Sequence, residues 1–237
     1  MKTNTDTIQF IAPDFEKLVA DVLVQGGFQS PDQANESMRR KAEEAASRAL
    51  ASIDPKAIVA PHPFTGAEKG ILTASSVVLK SAKLSHLIRQ YEGPELICVF
   101  LGTIGPRFDQ EMEQLSDGSM LESLFLDAAG SVLVEHYVDI IEEDVRRRFA
   151  EDGLEASLRF SPGYCDWETG EGQKALFSLI NAASIGVRIK ESGMMLPVKS
   201  VSGVILGARK ISHRTPCTFC AKKDCPYRRE PFLGKEA

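Results

Sequence analysis

Apolar positions first recur at helical spacing between Phe15 and Leu23. Phe15, Leu18, Val19, Val22 and Leu23 share one face, which predicts an amphipathic helix entered at Pro13 and stopped by Gly26-Gly27. Ser30-Pro31-Asp32-Gln33 combines an N-cap residue, a first-turn proline and a capping-box glutamine. A second, highly charged helix is therefore expected from there to about Leu50. Pro55, Pro61 and Pro63 break any helix between Ile53 and Phe64 and mark an expected linker or subdomain boundary. Val77-Val78-Leu79 and the run Leu96 to Leu101 read as strands. The second run is apolar on both faces and is expected to be central. A short acidic helix follows from about Arg107 to Leu115 and ends at Asp117-Gly118.

Ser119 and Glu122 make a capping box for the longest helix, roughly 120 to 150, with Leu121, Leu124, Phe125, Ala128, Val132, Ile140, Ile141 and Val145 as apolar positions. Ala128-Ala129-Gly130-Ser131 lies inside it. A mid-helix glycine costs on the order of 1 kcal/mol relative to alanine, so another backbone or a ligand is expected to approach that turn closely. Beyond it, Leu154 to Phe160 reads as a strand, Ser161-Pro162-Gly163-Tyr164 as a loop, and about Gly172 to Ser184 as a helix ended by Gly186. Val187 to Ile189 and Val201 to Leu206 read as further strands. The order of elements predicts an α+β fold, a twisted, mainly antiparallel sheet flanked by helices. The expected divisions are an N-terminal helical segment over 1–60, the main domain over 61–210, and a cysteine-rich tail over 211–237.

Composition narrows the class. The 237 residues are 43% hydrophobic, 26% charged and only 7% aromatic, so a mostly aliphatic core is expected. A formal charge of −5 argues against wholesale nucleic-acid binding. No apolar run approaches a membrane span, and the polar start Met1 to Asp6 leads into no signal-peptide core. A cytoplasmic protein is expected, with its five cysteines reduced. There is no G-x-G-x-x-G loop, Walker loop, H-E-x-x-H site or G-x-S-x-G elbow, and His62, His86, His136 and His213 are scattered. An ordinary dehydrogenase or self-contained hydrolase is therefore disfavoured.

Two segments carry chemistry. In Arg159-Phe160-Ser161-Pro162-Gly163-Tyr164, followed by Trp167, an arginine at a strand end offers a donor fork suited to a carboxylate. Pro162-Gly163 stiffens the turn and opens its backbone, and Tyr164 adds a flat amphipathic face. The same residues would also serve as a structural turn. In Ile185 to Pro197, followed by Lys199 to Gly203, Glu191 and Ser192 could face a cationic ligand and Met194-Met195 could line its apolar wall or fill core.

Together, Arg-x-x-x-Gly-Tyr and Ile-Gly-x-x-x-x-Glu-Ser-x-x-Met-x-Pro-x-x-Ser-Val-Ser-Gly over Arg159 to Gly203 resemble the reactivation domain of cobalamin-dependent methionine synthase. The long helix, with Asp127 and Glu135, is similar but less distinctive. The resemblance implies a C-shaped single domain that binds S-adenosylmethionine. It implies methyl transfer from that donor to the cobalamin of a partner, converting cob(II)alamin to methylcobalamin with an electron from a reductase, flavodoxin or ferredoxin. Arg159 would grip the methionine carboxylate, the Ser161 backbone would meet the adenosyl part, Gly163 would complete the loop, and Tyr164 would flank the donor. Glu191 and Ser192 would join the cofactor-binding set. The sequence departs from the family in having Ser131 at an acidic position of the long helix, no D-x-H-x-x-G cobalamin segment, and no Tyr-Tyr stretch near its end. A stand-alone activator acting in trans on a corrinoid methyltransferase is therefore expected. The alternatives are a non-catalytic corrinoid-protein partner, which includes a metal or Fe–S electron-transfer module, and a domain that senses S-adenosylmethionine.

The tail holds Cys217, Cys220 and Cys225 at C-x2-C-x4-C spacing, with Lys222, Lys223, Arg228 and Arg229 around them. That spacing suits three thiolate ligands to zinc or an iron–sulfur cluster, with His213 or Cys165 as the fourth ligand. The other reading is a disordered tail with reduced thiols.

Overall fold

The computed structural model describes residues 8–115, 120–222, 225 and 228–233. Helix α1 spans Phe15–Gln25 and is capped by Asp14, whose side chain accepts from the Lys17 N–H. Pro13 thus lies just outside the helix instead of opening it. Gly26 closes α1 as expected. Ser30 caps a separate 3₁₀ turn, Pro31–Gln33, and not the second helix. Helix α2, Glu36–Ser52, starts later, where Asn35 accepts from the Met38 N–H at 2.9 Å. Asn35 is the better cap here because the backbone is extended at Ala34 between the two elements.

The proline-rich segment is not a linker. It forms strand β1, Lys56–Glu68, so a boundary at residue 60 would fall inside a strand. Strands β2, Ile71–Ala74, and β3, Val77–Lys80, continue the meander to helix α3, Ala82–Ile88. Strand β4 is Glu92–Thr103, and helix α4 is Pro106–Gln114. The sequence pattern missed β2 and α3, both short. β1 tolerates its prolines because of register. Pro61 and Pro63 oppose Cys98 and Leu96 of β4, and the Pro63 carbonyl accepts from Ser75 on the other side of the strand. The missing N–H groups therefore fall on the side away from β4, where they break no bond of that ladder.

Helix α5, Met120–Glu151, is followed by β5, Glu155–Ala156, which is shorter than the strand expected over Leu154 to Phe160. Phe160 keeps an isolated bridge to Val204. The expected cap of α5 at Ser119 and the turn at Asp117-Gly118 lie outside the described residues. Helix α6, Thr169–Leu179, is followed by a 3₁₀ turn over Ala182–Ile185 that ends at left-handed Gly186. A two-residue hairpin of β6, Arg188–Ile189, and β7, Met195–Leu196, leads to β8, Ser200–Lys210. The large sheet runs β3-β2-β1-β4-β8-β5, antiparallel throughout. The fold is α+β, and among the described residues no helix is long and apolar enough to cross a membrane.

Alternation along the central strands divides the core. Val59, Cys98, Phe100 and Ile205 face α5 through Tyr137, Val138, Ile141, Val145 and Phe149. Their neighbours Ile58, Ala60, Ile97, Val99, Leu101, Val204 and Leu206 face the opposite layer with Leu84, Leu87, Leu176 and Trp167. Both faces are covered, which is why β4 reads as a continuous apolar run. The N-terminal half of α5 packs with α1, α2 and α4 in a third cluster. There the nearest neighbour of Gly130 is a side chain. The buried Phe108 ring of α4 lies over it, and a Cβ on residue 130 would stand 2.2 Å from Phe108 Cζ.

Candidate functional site: a charged, thiol-lined cavity

The Arg159 to Trp167 loop is held from three directions. Gly163, at φ 95°, donates its N–H to the Trp167 carbonyl at 2.7 Å, and Tyr164 donates to the Ser161 carbonyl at 3.0 Å. Glycine is needed at 163 because an L side chain rarely adopts that φ. Trp167 is buried and stacks on Phe160 with ring centroids 5.7 Å apart. Asp166 accepts from the Ser81 hydroxyl and the Ala82 N–H, pinning the loop to the start of α3. The single tryptophan is therefore the loop's anchor in the core.

Arg159 is buried against three carboxylates of α5. One terminal nitrogen donates to Asp139 at 2.5 Å and Glu142 at 2.9 Å, and the other donates to Glu135 at 2.8 Å. Burial disfavours the guanidinium charge, but the carboxylates more than offset it, so its pKa is raised. Glu142 is also buried and accepts from Arg229 of the tail at 3.0 Å and from Arg146 at 3.4 Å. Glu135 and Asp139 are about half exposed, with side-chain exposures of 49% and 62%.

Among its described residues, the tail folds back over this cluster. Leu158 donates to the Arg214 carbonyl, Tyr91 donates to the His213 carbonyl, and Thr215 caps a 3₁₀ turn over Pro216–Phe219. Phe219 is buried edge-on to His86 at 5.0 Å. Arg228 donates to the carbonyl oxygens of Cys217 at 2.7 Å, Cys220 at 2.9 Å and Lys222 at 2.6 Å. One guanidinium thus gathers the loop that carries the cysteines. Loop and tail enclose a cavity of about 490 Å³ whose lining includes Arg159, Gly163, Tyr164, Glu135 and four cysteines, Cys165, Cys217, Cys220 and Cys225.

The cavity brings together some of the expected residues and leaves others out. Arg159, Gly163 and Tyr164 line it. Ser161 is buried beneath, where a Cβ on Gly203 would meet its hydroxyl at 2.7 Å. Glu191 and Ser192 are exposed in the turn between β6 and β7 and do not line the cavity, and the Ser192 hydroxyl accepts from the Met194 N–H. Their turn packs on the start of α6 through Gly193 and Gly170. Of the two candidate fourth ligands, Cys165 lines the cavity and His213 does not. The Cys165 thiol is pushed up to about 12 by burial first, with Cys220 and Cys217 adding to the effect. Sequence reasoning missed Asp139 and Glu142. Their i, i+3 and i, i+4 spacing from Glu135 and Asp139 was visible, but nothing local said that an arginine would land between them.

An antiparallel sheet with helices on both faces and a thiol-lined cavity on one side defines an α+β domain. The chain belongs to the family "Vitamin B12 dependent methionine synthase, activation domain", whose model matches residues 80–214, more than half of its length. Among solved structures, one of the MetH reactivation domain bound to AdoHcy superposes with a TM-score of 0.61 at 16% identity, covering 88% of this chain and 80% of that one. That likeness establishes the fold. No curated protein matches the sequence significantly.

Proposed function

We propose that the cavity binds S-adenosylmethionine and that the domain presents its methyl group to the cobalt of a corrinoid held outside these residues. The observation that carries this reading is the placement of Arg159, Gly163 and Tyr164 on one cavity in a member of the activation-domain family. The neighbouring structure that contains AdoHcy has the same fold.

Arg159 already holds carboxylates, so a donor must exchange for one. The methionine end carries both a carboxylate and an ammonium group. If Glu135 turns its carboxylate to the ammonium, the Arg159 nitrogen it occupied at 2.8 Å becomes available to the donor carboxylate. The exchange leaves the charge of the cluster unchanged, which avoids burying an unpaired ion. Tyr164 then flanks the adenosyl group, and the rigid loop fixes where the sulfonium sits. Electron uptake and methyl capture are chemistry that the corrinoid supplies, with the electron from a reductase, flavodoxin or ferredoxin. The methyl leaves the sulfonium as a cation equivalent, and S-adenosylhomocysteine remains. This chain's residues bind, orient and desolvate the donor. The setting expected for this reaction is the cytoplasm.

The test is calorimetric titration of S-adenosylmethionine into anaerobically purified protein. Saturable binding is expected. Arg159→Ala and, at a half-exposed position that leaves the core intact, Glu135→Gln should each weaken it by roughly 10–100-fold, the worth of one charge-assisted hydrogen bond. Absence of saturable binding, or unchanged affinity in both variants, would overturn the proposal.

A further inference from the structure

Four of the five cysteines of this chain meet at one cavity although they come from two distant segments. Cys165 arrives on the loop after Tyr164, and Cys217, Cys220 and Cys225 arrive on the folded tail. The fifth, Cys98, is buried between the sheet and α5 with Val59 and Phe100. All five are free thiols. Cys165, Cys217, Cys220 and Cys225 all line this cavity, and the Cys220 and Cys217 thiols are near enough to Cys165 to act on its electrostatics. We propose that Cys165, Cys217, Cys220 and Cys225 form one tetrathiolate site for a soft metal centre, a zinc ion or an iron–sulfur cluster. His213 is outside the set.

Three features support it. Among the described residues, the backbone of the cysteine loop is gathered by Arg228, which binds the carbonyl groups of Cys217, Cys220 and Lys222. The sulfurs remain available as ligands. Cys165 sits at φ 53°, a strained conformation for a non-glycine residue that places the residue on the tail side of the loop. Four thiolates with a divalent ion carry a net double negative charge, and Lys222, Arg228 and Arg229 line the same cavity to offset it. Among the described residues no three His, Cys, Asp or Glu side chains are yet drawn round one point, so the metal assembles the site. Each thiol gives up its proton as it binds, and the tail closes on Cys165. Such coupling of binding to local folding is normal for thiolate sites. The consequence for the domain is a metal-stapled wall against the loop that carries Arg159 and Tyr164.

The inference is read by metal content and the proposed function by donor titration, so their failures are separable although both concern one cavity. Protein purified anaerobically, and apoprotein reconstituted either with zinc or with iron and sulfide, should bind one centre per chain. Zinc gives a colourless protein that releases metal to a chromogenic chelator. An iron–sulfur cluster gives visible charge-transfer absorbance and acid-labile sulfide. Cys165→Ser should lose more affinity than the roughly 10–100-fold that follows loss of an outer-shell partner, while His213→Ala should retain the metal. Binding should also slow backbone hydrogen exchange at 215–222 in the wild type but not in Cys165→Ser. No uptake of either metal would overturn the proposal, as would full retention in Cys165→Ser. A disulfide between Cys165 and a tail cysteine in protein prepared anaerobically with no thiol reagent would do so too.

Discussion

Replacing Gly130 by alanine sets two effects of opposite sign against each other in the middle of α5. Alanine gains about 1 kcal/mol of helix propensity over glycine. The added Cβ, however, would stand 2.2 Å from Phe108 Cζ, 2.5 Å from Cε1 and 2.9 Å from Cε2, against the roughly 3.5–4.0 Å of a relaxed carbon contact. Phe108 is fully buried among α1, α2 and α5 side chains, so the ring cannot swing away and the helices must part. Overpacking of this kind costs typically about 1–3 kcal/mol and occasionally more, and an overlap of about 1 Å or more on two ring atoms, with a third also too close, lies at the upper end. The net expectation is destabilisation by about 1–2 kcal/mol. For a chain of this size that lowers the thermal midpoint by about 2–8 °C. Circular dichroism melts of wild type, Gly130→Ala, Phe108→Leu and the double variant would measure it. The double variant should be more stable than the sum of the single effects by about 1 kcal/mol. A Gly130→Ala protein as stable as the wild type, or more so, would refute the packing argument.

Two other perturbations probe the tail and the sheet. Glu142→Gln removes the buried negative charge shared by Arg159, Arg229 and Arg146 and turns one of its two acceptor oxygens into a donor, while Asp139 and Glu135 keep Arg159 paired. A loss of about 1–3 kcal/mol and faster hydrogen exchange at 215–222 are expected, and unchanged exchange would mean that Arg229 does not hold the tail. Burial lowers the pKa of His62 from 6.5, with the acceptor carbonyl of the Leu179 backbone opposing the shift. The folded state therefore favours the neutral ring. Stability from this group is present above the unfolded value and is lost as pH falls from 6.5 through the folded pKa. Urea midpoints should fall over that window in the wild type and less so in His62→Gln, and identical pH profiles would exclude His62 as a source.

Much of the fold was readable because its signals are local. The apolar stripe of α1, the glycine stop at Gly26, the long period of α5 and the two-sided run of β4 each report on neighbours within one element. Local signals misled where a longer-range partner decided. Pro61 and Pro63 read as a boundary, yet β1 accepts them because the β4 ladder does not need their N–H groups. Ser30 read as the cap of α2, but the chain turns once more before Asn35 takes that place.

The same division runs through the site. Residue order alone established the Arg159–Tyr164 loop, its family and the thiol spacing of the tail, because stiff turns and ligand spacings are properties of short chain lengths. It could not establish that Glu135, Asp139 and Glu142 converge on Arg159, that Glu191 and Ser192 lie outside the cavity lining, or that Cys165 and not His213 lines the cavity with the tail cysteines. Those are contacts between segments far apart in the chain, selected by how α5 and the tail pack around the loop. Periodicity fixes which face of an element is buried, but only close packing of whole elements determines which distant charges and thiols share the space between them.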